Sequence, residues 1–347
     1  MRIGLFTACY KPTVNGVVYH IEELKNWLEK MGQQVFVFAP KTRDYRDEEK
    51  DVIRYPSLPN PKIKSYPLGA PFLIPRREIE RLNLDIIHVH HPFVVGDFAA
   101  EVARQIDKPL VFTHHTQYAL YSQCYLPAQL REVAPKIVNR VLHRFLKKCD
   151  AVICPTGEIA LRIKESLPQV KTAVIPNGIN IKLFFPIQTR KKKQIIYIGR
   201  VGTEKNIGQL LDVFQEINRV LPNYQLVIAG GGPYLEEARA VTQRLRLQPR
   251  VRFLGAVPRG ELPQLLSQSS LFITLSQTEV MPLTAIEAAA CGLPVVASRL
   301  PSFTEIFPHQ KGAVLLEEQA DFAPAVIDLL QNGKKLKKLS SEAREAA

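Results

Sequence analysis

The stretch SQTEVMPLTAIEAAACGLPVVA, Ser276 to Ala297, decides the fold. An apolar run from Ser270 to Leu275 precedes it and reads as a buried strand. A short polar loop then leads into a helix that begins at Pro282, a residue suited to the first helical position. The helix ends at Cys291-Gly292, and Leu293 to Ala297 reads as the next buried strand. Glu279 stands on the loop and Glu287 inside the helix, at the spacing E-x7-E. Two carboxylates therefore frame a helix N-terminus at the carboxyl end of a strand, where open α/β sheets take their ligands. The free N–H groups of such a helix start attract phosphate.

The same alternation extends through the second half of the chain. Strands are predicted at Gln194 to Gly199, Gln225 to Ala229, Val251 to Leu254 and Ala313 to Leu316, with helices between. The first half repeats it, with strands at Arg2 to Ala8, Gln34 to Ala39, Asp85 to His91, Pro109 to His114, Asp150 to Pro155 and Thr172 to Ile175. Its opening βαβ unit, with a helix at Val17 to Met31, carries no G-x-G-x-x-G, so a nicotinamide dinucleotide fold is disfavoured. Gly16 at the helix start reads first as a plain turn glycine. Residues 41–84 are polar and proline-rich, with Lys62, Lys64, Arg76 and Arg77 among them. They form either a functional insertion or surface loops crossing a sheet edge. The run KLFFPIQTRKKK at 182–193 breaks the pattern and sets a domain boundary. The expectation is an α/β protein of two Rossmann-like, doubly wound parallel-sheet domains, 1–185 and 186–347, with the ligand in the cleft between them.

Bulk properties narrow the class. A chain of 347 residues with 46% apolar and 23% charged content builds ordinary globular cores. No run approaches the roughly 18 to 20 apolar residues of a membrane span, and the N-terminus lacks the cleavage site of a signal peptide. Five scattered cysteines suit a reducing compartment, so a cytoplasmic location is expected. The formal charge of +13 fits an anionic substrate or an anionic membrane surface. No nucleic-acid-binding signature accompanies it, and nucleic acid is not an expected partner.

Two further features carry candidate chemistry. His88, His90, His91, His114 and His115 lie at or near the ends of two strands. His88 and His90 share a strand face as an H-x-H metal pair would. No carboxylate or cysteine stands at ligand spacing, which favours a histidine acting as a polar substrate contact. Arg131 to Cys149 is a basic helix whose Val133, Ile137, Val138, Val141, Leu142 and Phe145 share a broad apolar stripe, with Arg140, Arg144, Lys147 and Lys148 on the other face. It is either a solvated outer helix or one facing anionic lipid, where each basic residue adds about 1 kcal/mol. Tyr118, Tyr121 and Tyr125 precede it and are of the type enriched at membrane interfaces.

Three segments should meet at the carboxyl ends of the second sheet. GRVGTEKN, Gly199 to Asn206, offers Arg200 and Lys205 to a diphosphate. Gly230 to Pro233 is a tight turn and a weak phosphate signal. The E-x7-E carboxylates have no cationic partner nearby in sequence, which suits sugar or ribose hydroxyls. No D-x-D pair ends any strand, so cations rather than a metal would stabilise a departing diphosphate.

On the motifs GRxxxEKN, PNGI, GGGP and E-x7-E-A-x2-CGxPVVA, the chain resembles the family 4 retaining glycosyltransferases of the GT-B fold, over essentially all 347 residues. That group includes sucrose-phosphate synthases and bacterial glycolipid glycosyltransferases. The resemblance implies that Arg200 and Lys205 hold the donor diphosphate, Glu279 the donor sugar and Glu287 the ribose. It brings Gly16 backbone to the phosphates and His115 to the transferred sugar, and places Asn177 and Gly231 on the donor as well. It further implies front-face displacement with retention, no enzymic nucleophile, no cofactor and no metal. Met281-Pro282 stands where the family carries Phe-Gly. Proline has no N–H, so Leu283 and Thr284 would supply the phosphate contact instead. The family's final helix crossing back to the first domain is not found, which implies a truncated chain. The THHTQY segment, the tyrosines and the basic helix look most like the branch that glycosylates diacylglycerol or its monoglycosylated form from UDP-glucose or UDP-galactose. Such an enzyme would sit peripherally on the membrane. A soluble or cell-envelope acceptor, a GT-B sugar-nucleotide epimerase and a histidine-based metal hydrolase are the alternatives.

Overall fold

The structure is a computed structural model describing residues 1–60, 66–125, 129, 131–189 and 191–347. Lys62 and Lys64, and the side chain of Tyr125, lie outside what it describes.

The chain divides into two compact units, Met1–Gly178 and Ile179–Ala347. The division falls ahead of residue 185 because Phe184 is fully buried among Ile196, Phe272, Leu293 and Phe303 of the second core.

In the first unit the strands are β1 (Arg2–Phe6), β2 (Gln34–Pro40), β3 (Val52–Tyr55), β4 (Ser57–Leu58), β5 (Leu68–Gly69), β6 (Ile86–Val89), β7 (Leu110–Thr113), β8 (Ala151–Cys154) and β9 (Thr172–Val174). Seven of them form one sheet in the order β3-β2-β1-β6-β7-β8-β9, every neighbouring pair parallel. The central strands are continuous apolar runs because helices cover both faces of such a sheet. Those helices are α1 (Gly16–Lys30), α2 (Arg76–Glu80), α3 (Val95–Gln105), α4 (Tyr118–Tyr125), α5 (Ala134–Leu146) and α6 (Gly157–Ser166). Asn15 caps α1 by accepting from the Val18 N–H at 2.9 Å. At its other end Gly32 adopts φ +78, and the Gln33 N–H returns to the Leu28 carbonyl, a left-handed helix termination.

Residues 41–84 hold an edge strand, β3, and a small antiparallel hairpin, β4 with β5. Arg54 in β3 is bonded to Asp47 at 2.7 Å and to the Lys11 carbonyl at 2.6 Å. That side chain ties the insertion to the loop after β1.

The second unit holds β10 (Gln194–Ile198), β11 (Gln225–Ala229), β12 (Val251–Gly255), β13 (Leu271–Thr274), β14 (Val295–Ser298) and β15 (Ala313–Leu316). Its helices are α7 (Ile207–Val220), α8 (Leu235–Arg244), α9 (Leu262–Gln268), α10 (Leu283–Ala290), α11 (Pro301–Ile306), α12 (Phe322–Gln331) and α13 (Gly333–Ala346). The strand order β12-β11-β10-β13-β14-β15 is that of a doubly wound nucleotide-binding sheet, reversing direction between β10 and β13. Helix α10 begins one residue later than expected. Pro282 is its cap, at φ −80 and ψ 78, because its carbonyl accepts the first helical bonds from Ala285 and Ile286. Arg344 on α13 donates to the carbonyls of Ala290 and Phe184, so the last helix is fastened to the C-terminal end of α10.

Candidate functional site

The loops that follow β10 and β13 flank the reversal point of the second sheet, where crevices open at the carboxyl ends of strands. Their backbones are knitted together. Asn206 takes a left-handed conformation, φ 52 and ψ 40, which asparagine tolerates better than most residues, and its side-chain amide donates to the Leu275 carbonyl at 3.0 Å. The loop after β11 closes against the first of them. Val201 N–H reaches the Gly231 carbonyl at 2.9 Å and Tyr234 N–H the Val201 carbonyl at 3.0 Å.

This backbone-to-backbone contact explains the glycines. Gly230 has φ +145, and a Cβ there would run into the Gly199 carbonyl. Gly232 has φ +159, and its Cβ would meet the Val201 carbonyl. A Cβ on Gly231 would meet nothing within 4 Å, so of the three it is the one that faces open space.

Four charged side chains meet here in two ion pairs. Lys205 Nζ lies 2.6 Å from Glu279 Oε1 and 3.3 Å from the Ser276 hydroxyl. Arg200 turns its guanidinium onto Glu204, with Nη2 at 2.9 Å and Nε at 3.1 Å from the same oxygen, and Glu204 is fully buried. The Tyr197 hydroxyl donates to the Arg200 carbonyl at 2.8 Å and fixes the backbone at that point. Glu287 lies inside α10, and Arg259 Nη2 donates to it at 2.8 Å. Neither carboxylate has a cationic partner nearby in sequence, and the fold brings each one from another loop. Leu283 N–H donates to the Met281 carbonyl at 3.0 Å, and Thr284 occupies the first turn of α10.

The first unit holds the histidines. His90 Nδ1 lies 2.9 Å from His115 Nε2, and the two rings are stacked. His20 of α1 stands edge-on to His115 at 4.8 Å, and His88 lies 4.3 Å from His90, on the shared face that their spacing predicted. His88 also bonds the Thr113 hydroxyl at 2.7 Å. Burial pushes His20 down to about 4 and His88 down to about 3, with His90 and His115 well below the usual imidazole range. The rings are neutral at pH 7, each with one donor and one acceptor nitrogen. Among the described residues, nitrogens of His20, His90 and His115 lie within 4.8 Å of one another and are the set able to hold a metal ion. Gly16 opens α1 in the same unit, and Asn177, buried, lies at its C-terminal edge.

The candidate acceptor and membrane residues divide into two groups. Tyr118 packs inward, its ring 5.0 Å from Phe93 and 5.8 Å from His114, while Tyr121 is half-buried. Helix α5 does not bury the whole apolar stripe. Leu142, Phe145 and Leu146 are buried, whereas Val133, Ile137 and Val141 are 52%, 54% and 36% exposed. Arg140, Arg144 and Lys147 are exposed along with them, and Lys148 pairs with Asp97 at 2.6 Å. The outer face of α5 is thus basic and apolar at once. No helix among the described residues is long and apolar enough to cross a membrane.

Three residues of these clusters escaped the sequence reading. Glu204 sits inside the GRVGTEKN motif, where only the cations drew notice. Arg259 follows β12 at the same end of the sheet as the other site loops. His20 projects from α1, and its helical neighbours give no sign of the strand histidines it meets.

Residues 14–183 match the profile of Glycosyltransferase Family 4, and residues 181–346 that of Glycosyl transferases group 1. The α-monoglucosyldiacylglycerol synthase of Streptococcus pneumoniae is 31% identical over 95% of this chain and 78% of its own length. The α-monoglucosyldiacylglycerol synthase of Acholeplasma laidlawii is 28% identical over 99% and 92%. In fold, the chain is similar to the pneumococcal O-GlcNAc transferase solved with UDP and GlcNAc, at a TM-score of 0.76 and 15% identity, covering 100% of this chain and 95% of that one. With both halves of the sequence matched and two doubly wound parallel sheets in the order described, the chain belongs to the family 4 glycosyltransferases of the GT-B fold.

Proposed function

We propose that this chain is a retaining glucosyltransferase that moves glucose from UDP-glucose to diacylglycerol at an anionic membrane surface, without a metal. The observation that carries the reading is the meeting of Lys205 and Glu279 at 2.6 Å beside the start of α10, at the reversal point of the second sheet. A diphosphate answers the cation and the helix start, and sugar hydroxyls answer the carboxylate. The names of the two synthases supply glucose and diacylglycerol, and the UDP bound by the O-GlcNAc transferase supplies the base.

In this reading Arg200 and Lys205 take the charge that grows on the departing diphosphate, with Thr284 in the first turn of α10 beside them, while the Leu283 N–H stays on the Met281 carbonyl. Glu279 accepts from hydroxyls of the glucose, and Glu287 from those of the ribose. Gly231, where a Cβ would face open space, contributes to the same donor. The bond from glucose C1 to the phosphate oxygen breaks, and the acceptor hydroxyl bonds to C1 on the same face. Its proton passes to the leaving phosphate oxygen, so no side chain acts as nucleophile. The exposed Val133, Ile137 and Val141, between Arg140, Arg144 and Lys147, are suited to the interfacial zone of an anionic bilayer.

The test is transfer of labelled glucose from UDP-glucose to vesicles containing diacylglycerol, with the anomeric configuration of the product read by proton NMR. A lipid-extractable α-glucoside formed at an unchanged rate in the presence of a chelator is expected. An altered or hydrolysed sugar nucleotide without any acceptor would replace this reading with the epimerase or hydrolase. Glucoside formed only on a water-soluble acceptor would overturn the lipid assignment.

A further inference from the structure

Glu287 sits in α10 between Ile286 and Ala288 and is 4% exposed. A carboxylate withdrawn from water to this degree costs several kcal/mol unless a cation and further hydrogen bonds meet it. The cation is Arg259, from the short turn Arg259–Glu261 after β12, whose Nη2 lies 2.8 Å from Glu287 Oε1. The guanidinium has a second fixed neighbour. Its carbon lies 5.3 Å from the centroid of the Phe184 ring, which is itself fully buried and whose carbonyl accepts from Arg344 of the last helix. The guanidinium thus lies over an aromatic ring and donates to a carboxylate, an arrangement that lysine cannot copy.

We infer that Arg259 is the positioning residue for the nucleoside end of the donor. It engages Oε1 of Glu287 and so holds the carboxylate in the one rotamer in which it meets the ribose hydroxyls. Phe184 keeps the guanidinium from following the carboxylate away. This rests on the reading of Glu287 as the ribose contact. It adds a residue that touches neither the diphosphate nor the transferred sugar, so its effect falls on donor affinity and on recognition of the ribose, and leaves the chemical step alone.

The experiment compares UDP-glucose with its 2′-deoxy and 3′-deoxy ribose analogues as donors, reading kcat and KM separately, for the wild type, Glu287→Gln, Arg259→Gln, Arg259→Lys and Phe184→Leu. The wild type is expected to prefer the full ribose by about ten- to a hundredfold in kcat/KM, the effect of one hydrogen bond to a charged group. Glu287→Gln should lose most of that preference. Arg259→Gln should lose it too, with KM for UDP-glucose raised about tenfold and kcat nearly unchanged. Arg259→Lys and Phe184→Leu should fall between, and they carry the test where Arg259→Gln fails to fold. If the wild type does not distinguish the analogues, or Glu287→Gln keeps the preference, the ribose reading itself is wrong. If Glu287→Gln loses the preference while the Arg259 and Phe184 variants keep it at wild-type strength, Arg259 only props up the fold and the inference is overturned.

Discussion

Lys205 Nζ lies 2.6 Å from a carboxylate oxygen of Glu279, although 74 residues separate the two in sequence. One residue follows β10 and the other follows β13, the two strands on either side of the point where the second sheet reverses its order. Neither loop creates the pair alone. The fold does, by making sequence-distant strands neighbours with their carboxyl ends side by side. Both side chains are largely withdrawn from water, at 13% and 18% exposure, so each shields the other's charge. In the proposed reading a diphosphate replaces Glu279 beside Lys205, and neutral sugar hydroxyls donate to Glu279 in place of the ammonium.

Lys205→Ala and Glu279→Ala are each expected to lower kcat/KM for transfer by at least a hundredfold, about 3 kcal/mol, with a native circular dichroism spectrum. Because the two side chains touch, the double variant should lose much less than the sum of the single losses. Near-normal turnover in either purified single variant would remove the pair from the donor site.

The three glycines of the 230–232 turn should separate in a thermal melt. Gly232→Ala places a Cβ against the Val201 carbonyl at a φ that side-chain-bearing residues avoid, so a loss of about 1 to 3 kcal/mol is expected. Gly231→Ala meets open space and should melt within a degree or two of the wild type. It would then report on the donor alone, through KM. Equal destabilisation by both substitutions would contradict the packing of this turn against the 199–202 loop.

How much of this was legible beforehand follows from which interactions are local. The alternation of apolar strands and amphipathic helices is local, so every expected strand of both sheets is present, and Glu279 and Glu287 fall on a loop and a helix as their spacing implied. Strand β3 was not legible, because a short edge strand buries only part of one face and Arg54 within it looks like loop chemistry until Asp47 is seen beside it. The partners of Glu279 and Glu287 were hidden for a different reason. Lys205 and Arg259 lie 74 and 28 residues away, and only the sheet order brings them in. Helix α5 shows the limit of periodicity. The stripe of apolar residues was correct as a pattern, but the neighbours of the helix decide that Leu142 and Phe145 are buried while Ile137 and Val141 are not.

The buried histidines predict how stability follows pH. In the unfolded chain they take up protons near pH 6.5. In the folded chain burial holds His88 down to about 3 and His114 down to about 4, so both stay neutral well below that pH. Between about pH 6.5 and 4 the unfolded state therefore binds more protons, and the stability present above pH 6.5 is lost as the pH falls. Each such residue removes about 1.4 kcal/mol per pH unit in that window. The melting temperature should drop steeply from pH 7 to pH 5, and His88→Gln, which has no titrating ring, should flatten the slope. A melting temperature independent of pH over this range would show that these rings are not held neutral by burial.

The outer face of α5 predicts membrane affinity with two separable parts. Arg140, Arg144 and Lys147 supply the electrostatic part, about 1 kcal/mol for each charge near an anionic surface, so Arg140→Ala with Arg144→Ala should weaken vesicle binding by about tenfold or more. That part should fade as salt shortens the screening length to below about 8 Å. Val133, Ile137 and Val141 supply the apolar part, which salt does not screen. Ile137→Ser with Val141→Ser should therefore weaken binding at high salt as well as low. Co-sedimentation with vesicles containing an anionic lipid, at about 0.05 and 0.5 M salt, reads both. No wild-type binding at low salt would sink the membrane role of this helix, and equal binding by wild type and the serine variant would assign the attraction to charge alone.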